Sequence, residues 1–229
     1  ARFEVTALAR DFLERNGLSI PGWFQHPKDA DIEGDVAPAW VVTGHQPELF
    51  HPGVWVKNFA AAAIAGRANG VSLNLIVDND LPKSSSIRVP SQSSGELRRV
   101  DVPFDSWKER EVPFEELEIG DESLFTSFDR RVRDVLGDAV SDPLIDDFWP
   151  LVMKEHGDVR NVGLRLAVAR HRIEQGWGCS NLEVPLSAVC QTDAFLWFFS
   201  HIIAHLPRFQ EIHNSALADY RELYGIRSR

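Results

Sequence analysis

Ala39-Trp40-Val41-Val42-Thr43-Gly44-His45-Gln46-Pro47-Glu48-Leu49-Phe50-His51-Pro52-Gly53 runs from an apolar segment through a polar turn to a Pro-Gly step. Ala39 to Val42 form a short apolar run ending at Thr43-Gly44, which suits a buried strand stopped by a turn. Pro52-Gly53 then precedes Val54 to Arg67, whose Ala60 to Ala65 stretch is strongly helical, with Gly70 beyond its end. Leu73-Asn74-Leu75-Ile76-Val77 resumes as a second buried strand and stops at Asp78-Asn79-Asp80. Strand, helix and strand in about forty residues have the proportions of a βαβ unit. The expected fold is therefore α/β, a Rossmann-like parallel sheet with helices, in which ligands sit beyond the carboxyl ends of the strands. That rule places Gly44-His45-Gln46 and Asp78-Asn79-Asp80 at the ligand edge.

Toward the N-terminus, Phe3, Leu8, Phe12 and Leu13 recur near helical spacing and Gly17 follows as a stop, so residues 3 to 16 read as an amphipathic helix. A loop holding Pro21, Gly22, Pro27, Gly34 and Pro38 leads to the first strand. Beyond the βαβ unit, Ser85 to Val89 and Glu96 to Val102 have extended character and flank Ser91-Gln92-Ser93-Ser94-Gly95, the pattern of a hairpin. Residues 121 to 156 turn helical, with Leu124, Phe128, Val132 and Val135 on one face and Leu144, Ile145, Phe148, Leu151 and Val152 on another. They read as a helical insertion or an appended helical part. Val162 to Gln175 predicts a further helix, Leu182 to Leu186 a strand, Thr192 to His205 an apolar helix capped by Thr192 or Asp193, and Phe209 to Tyr224 a last amphipathic helix.

The chain has 229 residues, 44% of them hydrophobic and 25% charged, enough to bury one sizeable core in a single α/β domain. The apolar run from Phe195 to Leu206 is broken by Ser200, His201 and His205, so no membrane association is expected. Two cysteines, Cys179 and Cys190, argue against a disulfide framework and point to a reducing, cytoplasmic location. A net charge of −10 disfavours nucleic acid as a partner, although a local basic pocket can still hold phosphates. Ala1 at the start and Arg227-Ser228-Arg229 at the end read as cuts or processed termini, as in a piece of a longer protein.

The turn after the first strand sets two histidines, a glutamine and glycines around a helix start, where free backbone N–H groups and the helix dipole attract anions. Thr43, Gly44, Gln46 and Gly53 would surround a phosphate there, and His45 or His51 would stabilise developing charge. The plainer alternatives are that His45 bonds a neighbouring carbonyl and His51 caps the helix. Lys57, followed by Asn58, would pair with phosphate or lie solvated. Asp78, Asn79 and Asp80 would hold a ribose hydroxyl, an amine or a metal ion, or form Asx turns. Lys83 and Arg88 would neutralise phosphates or face solvent. His201 and His205 share a helical face at the spacing of zinc ligands, with His213 beyond. But His-Ile-Ile-Ala-His lacks a metalloprotease glutamate, and no metal site is assigned. Cys190 has no base near it in sequence and reads as a small buried residue. Phosphate-loop, Gly-x-Gly-x-x-Gly dinucleotide and Gly-x-Ser-x-Gly hydrolase motifs are absent.

His51-Pro52-Gly53 at a helix start resembles the His-x-Gly-His signature of nucleotidyltransferase-type Rossmann domains, with Val54 at the fourth position. A closer resemblance is to the cysteine-adding enzyme of bacillithiol biosynthesis (the BshC family). There a hydrophobic strand runs into a Thr-Gly-Gln-Gln-x-x-Leu-Phe loop, followed by a glycine and an aromatic-rich helix with a lysine. Val42 to Phe50 is similar to that loop, with His45 at its first glutamine, and Gly53, Trp55 and Lys57 are similar to its continuation. Val77-Asp78-Asn79-Asp80 is a rough counterpart of the next landmark, a strand ending in an acidic cluster. The likeness spans residues 40 to 80. The His-Gln-Pro pattern followed by Pro-Gly also resembles the WbqC-like proteins of polysaccharide gene clusters.

These resemblances imply a Rossmann-like enzyme of ligase or nucleotidyltransferase type that binds a nucleotide, phosphate or activated-sugar substrate, with a nucleotide and Mg²⁺ as the implied cofactor. The BshC likeness implies condensation of an amino acid with an amino sugar. Two alternatives stand beside it. One is a noncatalytic nucleotide- or sugar-binding domain, and the other is a metal-dependent hydrolase using His45, His51 and Asp78 or Asp80. Oligomeric state is not readable from the sequence.

Overall fold

The computed structural model describes residues 1–24, 38–49, 51–93, 96–106, 111–154 and 160–226. Pro27 and Gly34 of the first loop, Phe50 of the strand-to-helix turn, Ser94 and Gly95 of the hairpin turn, His156 and Arg227-Ser228-Arg229 lie outside those residues. The chain forms two compact units, residues 2–189 and residues 190–229 together with Ala1.

The larger unit opens with α1 (Arg2–Arg15), β1 (Trp40–His45), α2 (Pro52–Arg67) and β2 (Val71–Ile76). A hairpin of β3 (Ser86–Ser93) and β4 (Glu96–Pro103) follows, then three short helices, α3 (Glu122–Thr126), α4 (Phe128–Leu136) and α5 (Ile145–Met153). The unit closes with α6 (Val162–Gly176), β5 (Leu182–Pro185) and the single turn α7 (Leu186–Val189). The expected α/β architecture is present: β1, β2 and β5 form a parallel sheet in the order β1-β2-β5. β2 lies at its centre with both neighbours parallel, which is why Val71, Ser72, Leu73, Asn74 and Ile76 are all buried. β3 and β4 pair antiparallel as a separate two-stranded sheet, from Ser86 opposite Pro103 to Ser93 opposite Glu96.

β1 continues past the expected stop at Val42, because Thr43, Gly44 and His45 stay in register with Asn74, Leu75 and Ile76. A Cβ at Gly44 would lie 3.2 Å from Leu75 Cβ, so glycine is what lets the strands stay close there. α2 begins at Pro52, ahead of the expected Val54. Proline has no N–H to leave unpaired at the first helical position, and the His51 side chain accepts from Gly53 N. In the helical stretch the buried face is Phe125, Phe128, Val132 and Leu136, not the expected Leu124, Phe128, Val132 and Val135. Both sets have the spacing of one helical face; Phe125 and Leu136 are buried in the core cluster, and Val135 packs against it partly exposed.

Two apolar clusters make the core. One gathers β3, β4 and α3 to α5 around Phe104, Phe125, Phe128 and Trp149; the other gathers α1 and the parallel sheet around Leu13, Leu73, Leu182 and Val184. α6 belongs to both, giving Val162, Leu166 and Ala169 to the first and Ala167 and Val168 to the second. A helix packed against two clusters has little solvent face for polar groups, so a charge on its buried sides must find a partner inside.

The smaller unit holds α8 (Asp193–Ala204), capped by the Thr192 hydroxyl accepting from Phe195 N, and α9 (Leu206–Leu223). The sequence pattern places both helices, and α9 starts earlier than Phe209 because Pro207 stands in its first turn. Cys190, expected to be buried, is half-buried. Among the described residues no helix is long and apolar enough to cross a membrane.

Two glycines give a test of this packing with opposite signs. A Cβ at Gly70 would sit 2.3 Å from the Ala39 carbonyl oxygen that accepts from Val71 N, at the start of the β1–β2 pair. A Cβ at Gly66, inside α2, would meet nothing within 4 Å, so the helix has room for a methyl group there. Urea unfolding should show Gly70→Ala destabilised by about 1–3 kcal/mol and Gly66→Ala stabilised by about 0.5–1 kcal/mol.

Candidate functional site

The carboxyl end of β1 is joined to that of β2 by a polar clasp. Gln46 Nε2 donates to Asp80 Oδ2 at 2.6 Å, and Leu81 N donates to Asp80 Oδ1 at 2.8 Å. The Gln46 bond, with that from Leu81, holds the Asp80 carboxyl below its ordinary value. Asp78 is buried and faces a different partner, accepting from Ser187 N at 2.9 Å and from the Ser187 hydroxyl, so it fastens the start of α7 to the end of β2. Asn79 and Lys83 are exposed beside the clasp.

Thr43 Oγ1 lies 3.2 Å from His45 Nε2. Partial burial, with the nearby charges of Lys57 and Arg170, lowers the His45 pKa below its ordinary 6.5, so at neutral pH this imidazole offers a lone pair and an N–H and carries little charge. His51 is the N-cap of α2, its Nδ1 accepting from Gly53 N at 3.0 Å. Pro52 has no N–H, and the N–H groups of Val54 and Trp55 both point to the His51 carbonyl at 2.8 and 3.3 Å. The helix start expected to bind an anion through its backbone therefore has its first donors already engaged.

Beside that loop opens a cavity of about 580 Å³, within the ordinary range of small-molecule pockets. Glu48, Leu49, His51, Pro52 and Trp55 line it from the loop and α2, Ser86, Ile87 and Arg88 from β3, and Leu144, Ile145 and Phe148 from the region of α5. Arg170 of α6 is its most buried polar lining residue, at 6% exposure. Of the expected residues, His51 lines this cavity, while His45, Lys57, Asp78 and Asp80 are not among its lining. Arg88 is exposed, with Asp101 at 3.8 Å.

Arg170 leads to a group of residues that the sequence reading does not single out. Its guanidinium donates to Glu174 Oε2 and to Glu183 Oε2, each at 2.7 Å. Glu174 Oε1 accepts from Trp55 Nε1 at 2.5 Å and from Asn58 Nδ2 at 2.7 Å, and Glu183 Oε1 accepts from Asn74 Nδ2 at 3.1 Å. Asn58, expected at the phosphate, is instead fully buried in this network, and its carbonyl accepts from Asn181. His171 Nδ1 stands 3.1 Å from Glu183 Oε1 without hydrogen-bond alignment, and neither ring nitrogen has a hydrogen-bond partner among the described residues.

Burial on its own would raise the Glu183 pKa, but Arg170 and then His171 overcome it and hold the carboxyl down, to about 2. Burial likewise opposes the charge on Arg170, and Glu183 and Glu174 more than restore it. Cys179 shows the other side of the same field: burial, reinforced by Glu174 and Glu183, pushes its thiol up to about 12, so it is no nucleophile at neutral pH. His171, Glu174 and Glu183 are the one group of three among the described residues whose ligand atoms lie close enough for a metal ion, within 4.8 Å of one another. Their carboxylates already hold a guanidinium and three further N–H donors, so the donor set fits an ion-pair network better than a metal centre.

A signal for this network is present in the sequence. Glu183 stands between Leu182 and Val184 in a strand with a buried pattern, and a parallel sheet covers both faces, so a charge there requires a buried partner. Arg170 and Glu174 stand one helical turn apart, a spacing they share with any ordinary surface pair.

No protein-family model matches the chain, and no curated protein matches it either.

Removing the shared cation should harm the fold more than removing one carboxylate. Arg170→Met leaves two buried carboxylates facing each other and should cost about 3–5 kcal/mol, whereas Glu183→Gln keeps the Arg170–Glu174 pair and should cost less. Because the Glu183 carboxyl titrates lower in the folded chain, its stabilisation is full above about 4.5 and is lost as pH falls toward about 2. Urea unfolding between those values should show a shallower loss of stability in Glu183→Gln than in wild type.

Proposed function

We propose that the chain binds a phosphate-bearing small molecule, a nucleotide or an activated sugar, in the cavity beside the β1–α2 loop, as a ligase- or transferase-like enzyme. The observation that carries this reading is the cavity itself. It lies at the edge where α/β sheets take their ligands, and it combines an apolar lining with His51, Arg88 and Arg170. Arg88 supplies the phosphate partner, since its contact with Asp101 is long and both side chains are solvated. Neutral His45 and the Gln46–Asp80 clasp stand at the neighbouring strand ends, where they would orient an amine or hydroxyl. The likeness of residues 40 to 80 to the BshC family supports condensation of an amino acid with an amino sugar as the reaction, with Mg²⁺ accompanying any nucleotide.

A noncatalytic binding domain is the second reading, and one observation favours it. Asp78 is tied to Ser187 and His51 Nδ1 to the α2 cap, so two of the expected reacting groups are engaged in holding the backbone. Turnover assays with amino-sugar acceptors separate the two readings.

The binding claim is tested by thermal-shift titration with ATP, CTP and UDP-sugars at constant ionic strength, with and without Mg²⁺. At least one ligand should raise the Tm, by an amount corresponding to about 2.7 kcal/mol at a hundredfold excess over Kd. Arg88→Ala should weaken that ligand about tenfold or more, and Lys57→Ala, whose side chain is outside the cavity lining, should leave the shift intact. No shift with any ligand, or an unchanged response in Arg88→Ala, removes the phosphate-site reading.

A further inference from the structure

We propose that Trp55 is a preorganised stacking platform for the planar base of a nucleotide whose phosphates lie toward Arg88, an assignment that rests on the nucleotide reading above. Trp55 lines the cavity and is partly exposed, which brings it within reach of a ligand there. Its indole is held in place. Nε1 donates to the buried Glu174 carboxylate at 2.5 Å, and the ring packs against Trp177, with centroids 5.3 Å apart at an interplanar angle of 40°. Trp177 is itself steadied by Phe59, at 6.2 Å. An indole held at its polar edge and along its packed side has little rotamer freedom left to lose when a ligand arrives.

Leu144, Ile145 and Phe148 line the same cavity and supply apolar surface for a flat ring that has left water. The charges divide the ligand in the same sense. Arg170 is already shared by two carboxylates, so a third anion against it meets net negative charge and its remaining donors suit a neutral oxygen. Among the described residues Arg88 has a long, solvated contact with Asp101, which leaves it as the lining cation able to take phosphate. The anionic end of the ligand therefore belongs at Arg88 and the neutral, planar end at Trp55. Because the indole N–H is engaged by Glu174, the platform recognises a flat face and not a particular base edge, so ATP and CTP should bind alike.

The test is isothermal titration of the full chain with ATP, CTP and inorganic tripolyphosphate, using wild type, Trp55→Leu and Leu144→Ala. Wild type should bind both nucleotides on the order of tenfold more tightly than tripolyphosphate. Trp55→Leu should bring the nucleotides down to the tripolyphosphate level and leave tripolyphosphate itself unchanged. Leu144→Ala lies on the cavity but outside the buried ion-pair network, and it carries the test if Trp55→Leu does not fold. It should weaken the nucleotides a few-fold and spare tripolyphosphate. If tripolyphosphate binds and the nucleotides bind no more tightly, the platform is overturned while the phosphate site stands. If none of the three binds, the phosphate-site reading falls and the platform with it. Nucleotide affinity unchanged in folded Trp55→Leu, or in Leu144→Ala where Trp55→Leu is unfolded, also overturns it.

Discussion

Arg170 bridges Glu174 on its own helix and Glu183 on β5, and through Glu174 it reaches Trp55 and Asn58 on α2. Asn74 of β2 completes the tie from the sheet side. One guanidinium thus sets the relative positions of two helices and two strands. Every carboxylate oxygen in the group has a donor, the condition under which buried charge is tolerable. The members depend on one another, since each left alone would be an uncompensated buried charge or dipole.

The network lies where α6 passes between the two apolar clusters. Leu166, Ala167, Val168 and Ala169 serve one cluster or the other, and the following turn brings Arg170, His171 and Glu174 inside with them. At the loop side the same seam widens into the cavity, with Arg170 as a shared residue of core and lining. A ligand that reached Arg170 or Trp55 there would touch a group on which the packing of α2, α6 and β5 depends. Trp55 makes the link most directly, because its indole belongs to the cavity and its N–H to the network.

The loop residues divide among different partners in a way their types do not announce. Gln46 and Asp80, distant in sequence, pair across the strand ends, while Asp78, two residues from Asp80, turns inward to Ser187. Neighbours on an extended segment point to opposite sides, but Asp78 and Asp80 are separated by a turn, so spacing alone does not assign their directions. His45 and His51 part in the same manner: one sits at the strand end beside Thr43, and the other closes the first turn of α2.

Hydrophobic pattern and backbone chemistry were enough to read the βαβ core, the hairpin, α6 and the two closing helices from the sequence. Apolar runs, proline at helix starts and glycine at close approaches act over a few residues and leave local marks. The strand extension through His45 was not legible, because it depends on pairing with Asn74, Leu75 and Ile76 across the sheet. Nor was the choice of Phe125 and Leu136 over Leu124 and Val135 as the most buried positions, since both sets have helical spacing. For the site, the sequence marked the loop and the cavity's His51, and it carried a hint in Glu183, a charge inside an apolar strand. The meeting of Arg170, Glu174, Glu183, Trp55 and Asn58 is set by folding alone, since the contacts from α2 to Glu174 join residues more than a hundred positions apart. A buried ion pair between distant elements has no periodicity: its members are recognised by what surrounds them, and the surroundings exist only once the chain has folded.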